Sequence, residues 1–64
     1  RAIKMRAEEA TFWVHWKISP RAGEPSFYEV CDDSGVVKKF HTHERAVSWC
    51  NDSGETYHDN TGGQ

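Results

Sequence analysis

Thr11-Phe12-Trp13-Val14-His15-Trp16-Lys17-Ile18-Ser19 alternates with a period of two. Phe12, Val14, Trp16 and Ile18 fall on one side, and Trp13, His15 and Lys17 on the other. Successive side chains leave a pleated strand on opposite faces, so this stretch predicts a β-strand with one buried face. The other face carries a tryptophan, Trp13, that a core does not need. The sheet built on this strand is therefore expected to have a surface available for contact.

After this strand comes Pro20-Arg21-Ala22-Gly23-Glu24-Pro25. Its glycine mark a turn, and two prolines exclude continuous strand pairing. Ser26-Phe27-Tyr28-Glu29-Val30-Cys31 then predicts a second strand, and Val36-Val37-Lys38-Lys39-Phe40-His41 a third. Asp32-Asp33-Ser34-Gly35 joins them, with Asp opening and Gly closing the turn as turn chemistry favours. Such short connections predict an antiparallel meander. A helix is expected to begin at Thr42, whose hydroxyl can accept an otherwise unpaired backbone N–H. Glu44 suits the positive end of the helix dipole. Ala46, Trp49 and Cys50 make its buried stripe, and Gly54 is its stop.

The expected fold is α+β: a three-stranded antiparallel β-meander with one α-helix packed on one face. Residues 11–54 form the domain. Residues 1–10 are good helix formers with a thin stripe of Ile3, Ala7 and Ala10, and predict a short helix or a flexible lead-in. Residues 55–64 predict a flexible polar tail. Parity assigns Phe12, Val14, Trp16, Ile18, Tyr28, Val30, Val36 and Phe40 to an inner face against Ala46 and Trp49. It sends Trp13, His15, Lys17, Phe27, Glu29, Val37, Lys39 and His41 outward.

Sixty-four residues make a single domain. A chain this short has little room for a deep substrate pocket, which favours a binding module over an enzyme. A net charge of −2 supplies no global field toward nucleic acid or an anionic membrane. No apolar run reaches membrane-spanning length. The first residues are charged and lack the apolar core of a signal peptide. Two cysteines, Cys31 and Cys50, are sparse for a secreted disulfide scaffold. An intracellular, cytoplasmic protein with free thiols is expected. Strand parity puts Cys31 outward and Cys50 on the helix stripe, so the two should not meet.

No C-x-x-C pair accompanies His41 and His43, so no zinc site and no other cofactor are expected. No spacing brings together a nucleophile, a base and an orienting group, and no catalytic residue is assigned. The binding candidates are Trp13, Phe27 and Val37 as an apolar patch, with His15, Lys17, Lys39 and His41 around it. Contiguous exposed apolar area of this kind marks an interaction site, and tryptophan is enriched among binding hot spots. A protein partner is the leading expectation, with the chain as a regulator or inhibitor such as a mobile-element accessory protein. A homodimer mate, or the chain's own ends, are the other occupants of that face.

The string Tyr28-Glu29-Val30…Gly35…Phe40-His41-Thr42…Glu44-Arg45-Ala46…Trp49 resembles the small ββ(β)α amino-terminal arm-binding domains of phage-type integrases. The resemblance covers residues 11–51. It implies a sheet that lies against DNA, with Trp13, His15, Lys17 and Lys39 at the contact, and makes DNA or RNA binding the alternative function. The chain departs from it in charge. Residues 11–50 hold five basic side chains (Lys17, Arg21, Lys38, Lys39, Arg45) and five acidic ones (Glu24, Glu29, Asp32, Asp33, Glu44), whereas phosphate contacts supply much of DNA affinity.

Overall fold

A computed structural model describes residues 2–61. Four strands form one sheet: β1 (Phe12–Lys17), β2 (Phe27–Asp32), β3 (Gly35–Phe40) and β4 (Tyr57–Asp59), in the order β3-β2-β1-β4. Among the described residues, one α-helix, α1 (His43–Ser53), crosses one face. β1 with β2, and β2 with β3, are antiparallel, as their short connections require. β4 instead runs parallel to β1, pairing Phe12 with Tyr57, Trp13 with His58 and Val14 with Asp59. The expected α+β class holds, but the sheet is mixed and has a fourth strand. The helix is the cause. It carries the chain from β3 at one edge back across the sheet, so the next strand starts beside the beginning of β1.

The hairpin between β2 and β3 is held by Asp32. Its carboxylate accepts the Ser34 N–H at 2.8 Å and the Ser34 hydroxyl at 2.7 Å. Thr42 caps α1, accepting the Arg45 N–H at 3.1 Å. Gly54 ends the helix at φ 77°, a left-handed conformation that side-chain-bearing residues disfavour.

The core lies between sheet and helix. Val14 and Val30 oppose each other at the centre of β1 and β2 and are fully buried with Ala46 and Cys50, and Tyr57 is buried beside them. Trp49 closes one side. Its ring lies 5.2 Å from Phe12 in an edge contact and 6.3 Å from Phe40. Trp16 sits opposite Tyr28 at the sheet end and is half-buried.

Two expected core residues are outside. Ile18 follows the last residue of β1 and is 72% exposed. Val36 is 52% exposed because of a register shift: Val30 pairs with Lys38, but Cys31 pairs with Val36. Val37 is left as the extra residue of a β-bulge, and Val36 moves to the outer face beside Cys31. Strict alternation along β3 fails at that point.

The ends are also more ordered than expected. Within the expected tail, Tyr57 is buried in β4 and Thr61 is buried behind it. Residues 1 and 62–64 lie outside the described residues. Among the described residues, the amino-terminal segment forms no α-helix. Lys4 bridges Tyr57 in parallel, through Met5 N–H to the Tyr57 carbonyl at 2.6 Å and Tyr57 N–H to the Ile3 carbonyl at 3.1 Å. A 3-10 turn follows at Ala7–Glu9. The sheet edge beyond β4 is thereby covered by the chain itself.

Truncating a buried aromatic leaves a cavity and typically costs about 3–5 kcal/mol. Tyr57→Ala should therefore lower the unfolding free energy by about 3 kcal/mol in a urea titration. A tail that did not pack would give a change near zero.

Candidate functional site

The helix covers only one face of the sheet. On the other, the β1–β2 pairing sets Trp13 beside Cys31, His15 beside Glu29 and Lys17 beside Phe27. The β2–β3 pairing adds Lys39 beside Glu29. Six of the seven sequence-derived binding candidates therefore lie on or next to this outer face, but they do not form one patch. Trp13 is half-buried, and its indole N–H donates to the Ala7 carbonyl at 2.9 Å. Its neighbour His58 donates from Nδ1 to the Met5 carbonyl at 3.0 Å. The amino-terminal segment thus ties down the end of the face that carries Trp13. His15 accepts from the Asn60 amide at 3.2 Å. Val37, the seventh candidate, is the exposed bulge residue on the edge strand and is not part of the paired array.

The other end is open. The Lys39 ammonium sits over the Phe27 ring, 5.3 Å from its centre, a stabilising cation–π arrangement. Phe27, Lys39 and His41 line a cleft of about 330 Å³ together with Phe40 and the loop between β1 and β2. That loop contributes Pro20, Arg21, Glu24 and Pro25. Arg21 Nε lies 3.7 Å from Glu24 Oε1, and the Ser19 hydroxyl donates to the same oxygen at 3.4 Å. Gly23, at φ 85°, lets the loop turn there. Sequence reasoning treated this loop only as a turn. Its arginine between two prolines was the available signal for a rigid, charged cleft wall.

A second group of titratable side chains lies under the sheet. His43 Nε2 donates to Asp59 Oδ2 at 2.7 Å, and the Thr61 amide and hydroxyl both donate to Asp59 Oδ1. Tyr28 meets the His43 ring edge-on at 5.7 Å. Burial works to raise the Asp59 pKa, but the hydrogen bonds from Thr61 and then His43 outweigh it and hold it below the usual carboxylate range. The pair joins the first turn of α1 to β4. Cys50 is fully buried nearby, and burial, aided by the Asp59 charge, pushes its thiol up to about 11. Burial and then Glu29 also raise the Cys31 thiol, against the opposing pull of Lys17. Both thiols are unbonded, on opposite sides of the sheet, and protonated at neutral pH, the unreactive form. Among the described residues, no group of three His, Cys, Asp or Glu side chains converges to hold a metal ion. No helix among them is long and apolar enough to cross a membrane.

Iodoacetamide should label Cys31 slowly in the native protein and Cys50 only once denaturant is added, as mass spectrometry would read. Asp59 has a lowered folded pKa, so its stabilisation is present above the unfolded value of about 3.9 and is lost as pH falls through the folded value. Asp59→Asn should be less stable than wild type at pH 7, with the gap narrowing as pH drops below about 4. A gap that stayed constant would show that the ionised Asp59 carboxylate contributes nothing to stability. No family model matches this chain, no curated protein matches it, and no solved structure matches it.

Proposed function

We propose that this chain is a non-catalytic protein-interaction module, a regulator or inhibitor that docks its partner on the outer sheet face. The observation that carries this reading is the one-sided packing. The single helix buries one face, and the amino-terminal segment ties down only the Trp13 end of the other. Phe27 and Lys39, with Lys17 beside them, are left at the open end. Aromatic side chains are the anchors that interfaces favour, and Lys17 and Lys39 flank this one as polar rim groups. Trp13 serves as support under the amino-terminal segment, and the docking anchor shifts to Phe27.

Nucleic acid fits this face less well. Glu29 stands at its middle, opposite both His15 and Lys39. A phosphate chain laid along the sheet would meet that carboxylate directly, where phosphate binders place cations.

Phe27→Ala combined with Lys39→Ala should lower the thermal midpoint by several degrees, from loss of the cation–π contact, while the protein stays folded at about 25 °C and partner capture weakens at least about tenfold, since hot-spot truncations cost about 2 kcal/mol or more. Undiminished capture would remove this face from the function. In a gel-shift with mixed-sequence duplex DNA, no mobility change is expected at low salt. A shift that weakens steeply with salt, and less steeply in Lys17→Ala, would replace the protein reading with the nucleic-acid one.

A further inference from the structure

The cleft at the open end of the sheet has a composition that selects its occupant. Its apolar lining comes from Phe27, Phe40, Pro20 and Pro25, and its cationic groups are Arg21 and Lys39 with His41 beside them. The one carboxylate in it, Glu24, already faces Arg21 and accepts from Ser19. Among the described residues, no carboxylate lies within ion-pair distance of Lys39. The cleft lining therefore carries one net positive charge above an apolar floor, with Glu29 outside it across the strand from Lys39, in a protein whose net charge is −2.

β3 forms one wall of this region and is the outermost strand on that side. It is exposed along nearly its whole length. Its outward backbone groups make no further hydrogen bonds to the described residues. An unpaired edge of this kind accepts an extended segment. Lys38 and Lys39 restrict which segment. A second copy pairing antiparallel along β3 would bring these lysines near their own counterparts, and like charges across strands are destabilising. The bulge at Val37 also bends the edge away from a flat self-pairing. A segment with alternating acidic and apolar side chains meets no such penalty.

We propose that the cleft bounded by the β1–β2 loop and the end of β3 receives an extended acidic peptide segment of the partner, with a carboxylate set between Arg21 and Lys39 and an adjacent apolar side chain on Phe27 and Phe40. The proposal rests on the protein-docking function above and names the chemistry of its partner. At about 330 Å³ the cleft takes a few side chains rather than a folded surface. Opposite charge at its rim steers encounter and fixes register more than it adds affinity.

The test is a two-dimensional ¹⁵N–¹H titration of the full chain with four probes: a short capped peptide alternating Glu and Leu, its Gln-for-Glu counterpart, inorganic phosphate, and a short oligothymidylate. The expected result is that the Glu peptide shifts the amides of Arg21, Phe27, Lys39 and His41. It should bind about threefold to tenfold more tightly than the Gln peptide, as two exposed rim charge pairs allow. Arg21→Gln with Lys39→Gln should abolish the difference, while Lys4→Gln leaves it intact. Equal binding of the two peptides, or shifts confined to the Trp13 and His15 region, would overturn the cleft proposal and leave the docking face standing. Binding of phosphate or oligothymidylate at lower concentration than the Glu peptide would overturn the peptide class. Absence of any peptide-induced shift would overturn the cleft proposal, and partner capture by wild type lost in Phe27→Ala Lys39→Ala would still sustain the docking function. Concentration-dependent broadening of the free protein at the same four amides, abolished by Asp32→Asn with Asp33→Asn, would show the acidic β2–β3 hairpin of a second copy as the occupant and overturn the proposal.

Discussion

Val14 and Val30 oppose each other across β1 and β2, and both lie fully buried beneath α1 with Ala46 and Cys50. So small a chain has few side chains to spend on a second core. One helix can cover only one face of the sheet, and the opposite face must be left to water, to the chain's own ends, or to another molecule. Almost every other feature is a consequence of this single buried pair and its roof.

The roof also explains the mixed sheet. α1 leaves β3 at one edge and must return across Val14 and Val30 to bury its Ala46–Cys50 stripe. Its end at Gly54 then lies near the start of β1, where Tyr57 enters the core and β4 pairs in parallel. The His43–Asp59 hydrogen bond links the two ends of that crossover, with Thr61 holding the carboxylate from the other side. Three residues of strand would be a weak element alone. Here they are fixed by a buried tyrosine, by β1 on one side and by the Lys4 bridge on the other.

The outer face is unequal along its length for a related reason. The amino-terminal segment reaches it only where it follows β4, and its Ala7 and Met5 carbonyls take up the donors of Trp13 and His58. The far end has no such cover. There the strand ends bring Phe27, Lys39 and Phe40 against the Pro20–Pro25 loop. The carboxylates Asp32, Asp33, Asp52 and Glu55 belong instead to the β2–β3 hairpin and to the end of α1 and the turn after it. Net charge alone hides this polarity: a chain of charge −2 presents a cationic cleft at one end.

Much of this was legible in the residues themselves. The alternation of β1 and β2, the Asp32 turn, the Thr42 cap and the Gly54 stop are local devices, each specified by a few neighbouring side chains acting on their own backbone. The inner and outer assignments of Val14, Val30, Lys17, Phe27 and Lys39 followed from that alternation. β4 was not legible, because three residues carry no period and Tyr57 is one apolar residue in a polar run; only the helix crossover gives it a partner. Val36 is exposed against the alternation because a bulge is a mismatch between two strands and leaves no mark on one. Trp13 was exposed by parity but half-buried by a segment whose pairing is with β4 rather than with its own neighbours. The cleft, too, belongs to the tertiary structure: it joins a loop to the ends of two strands. The sequence by itself determined the meander of β1, β2 and β3 and the buried faces of β1 and β2, since those are local periodicities and local turns; the pairing of β4, the bulge in β3 and which end of the outer face stays open were decided by contacts between residues far apart in the chain.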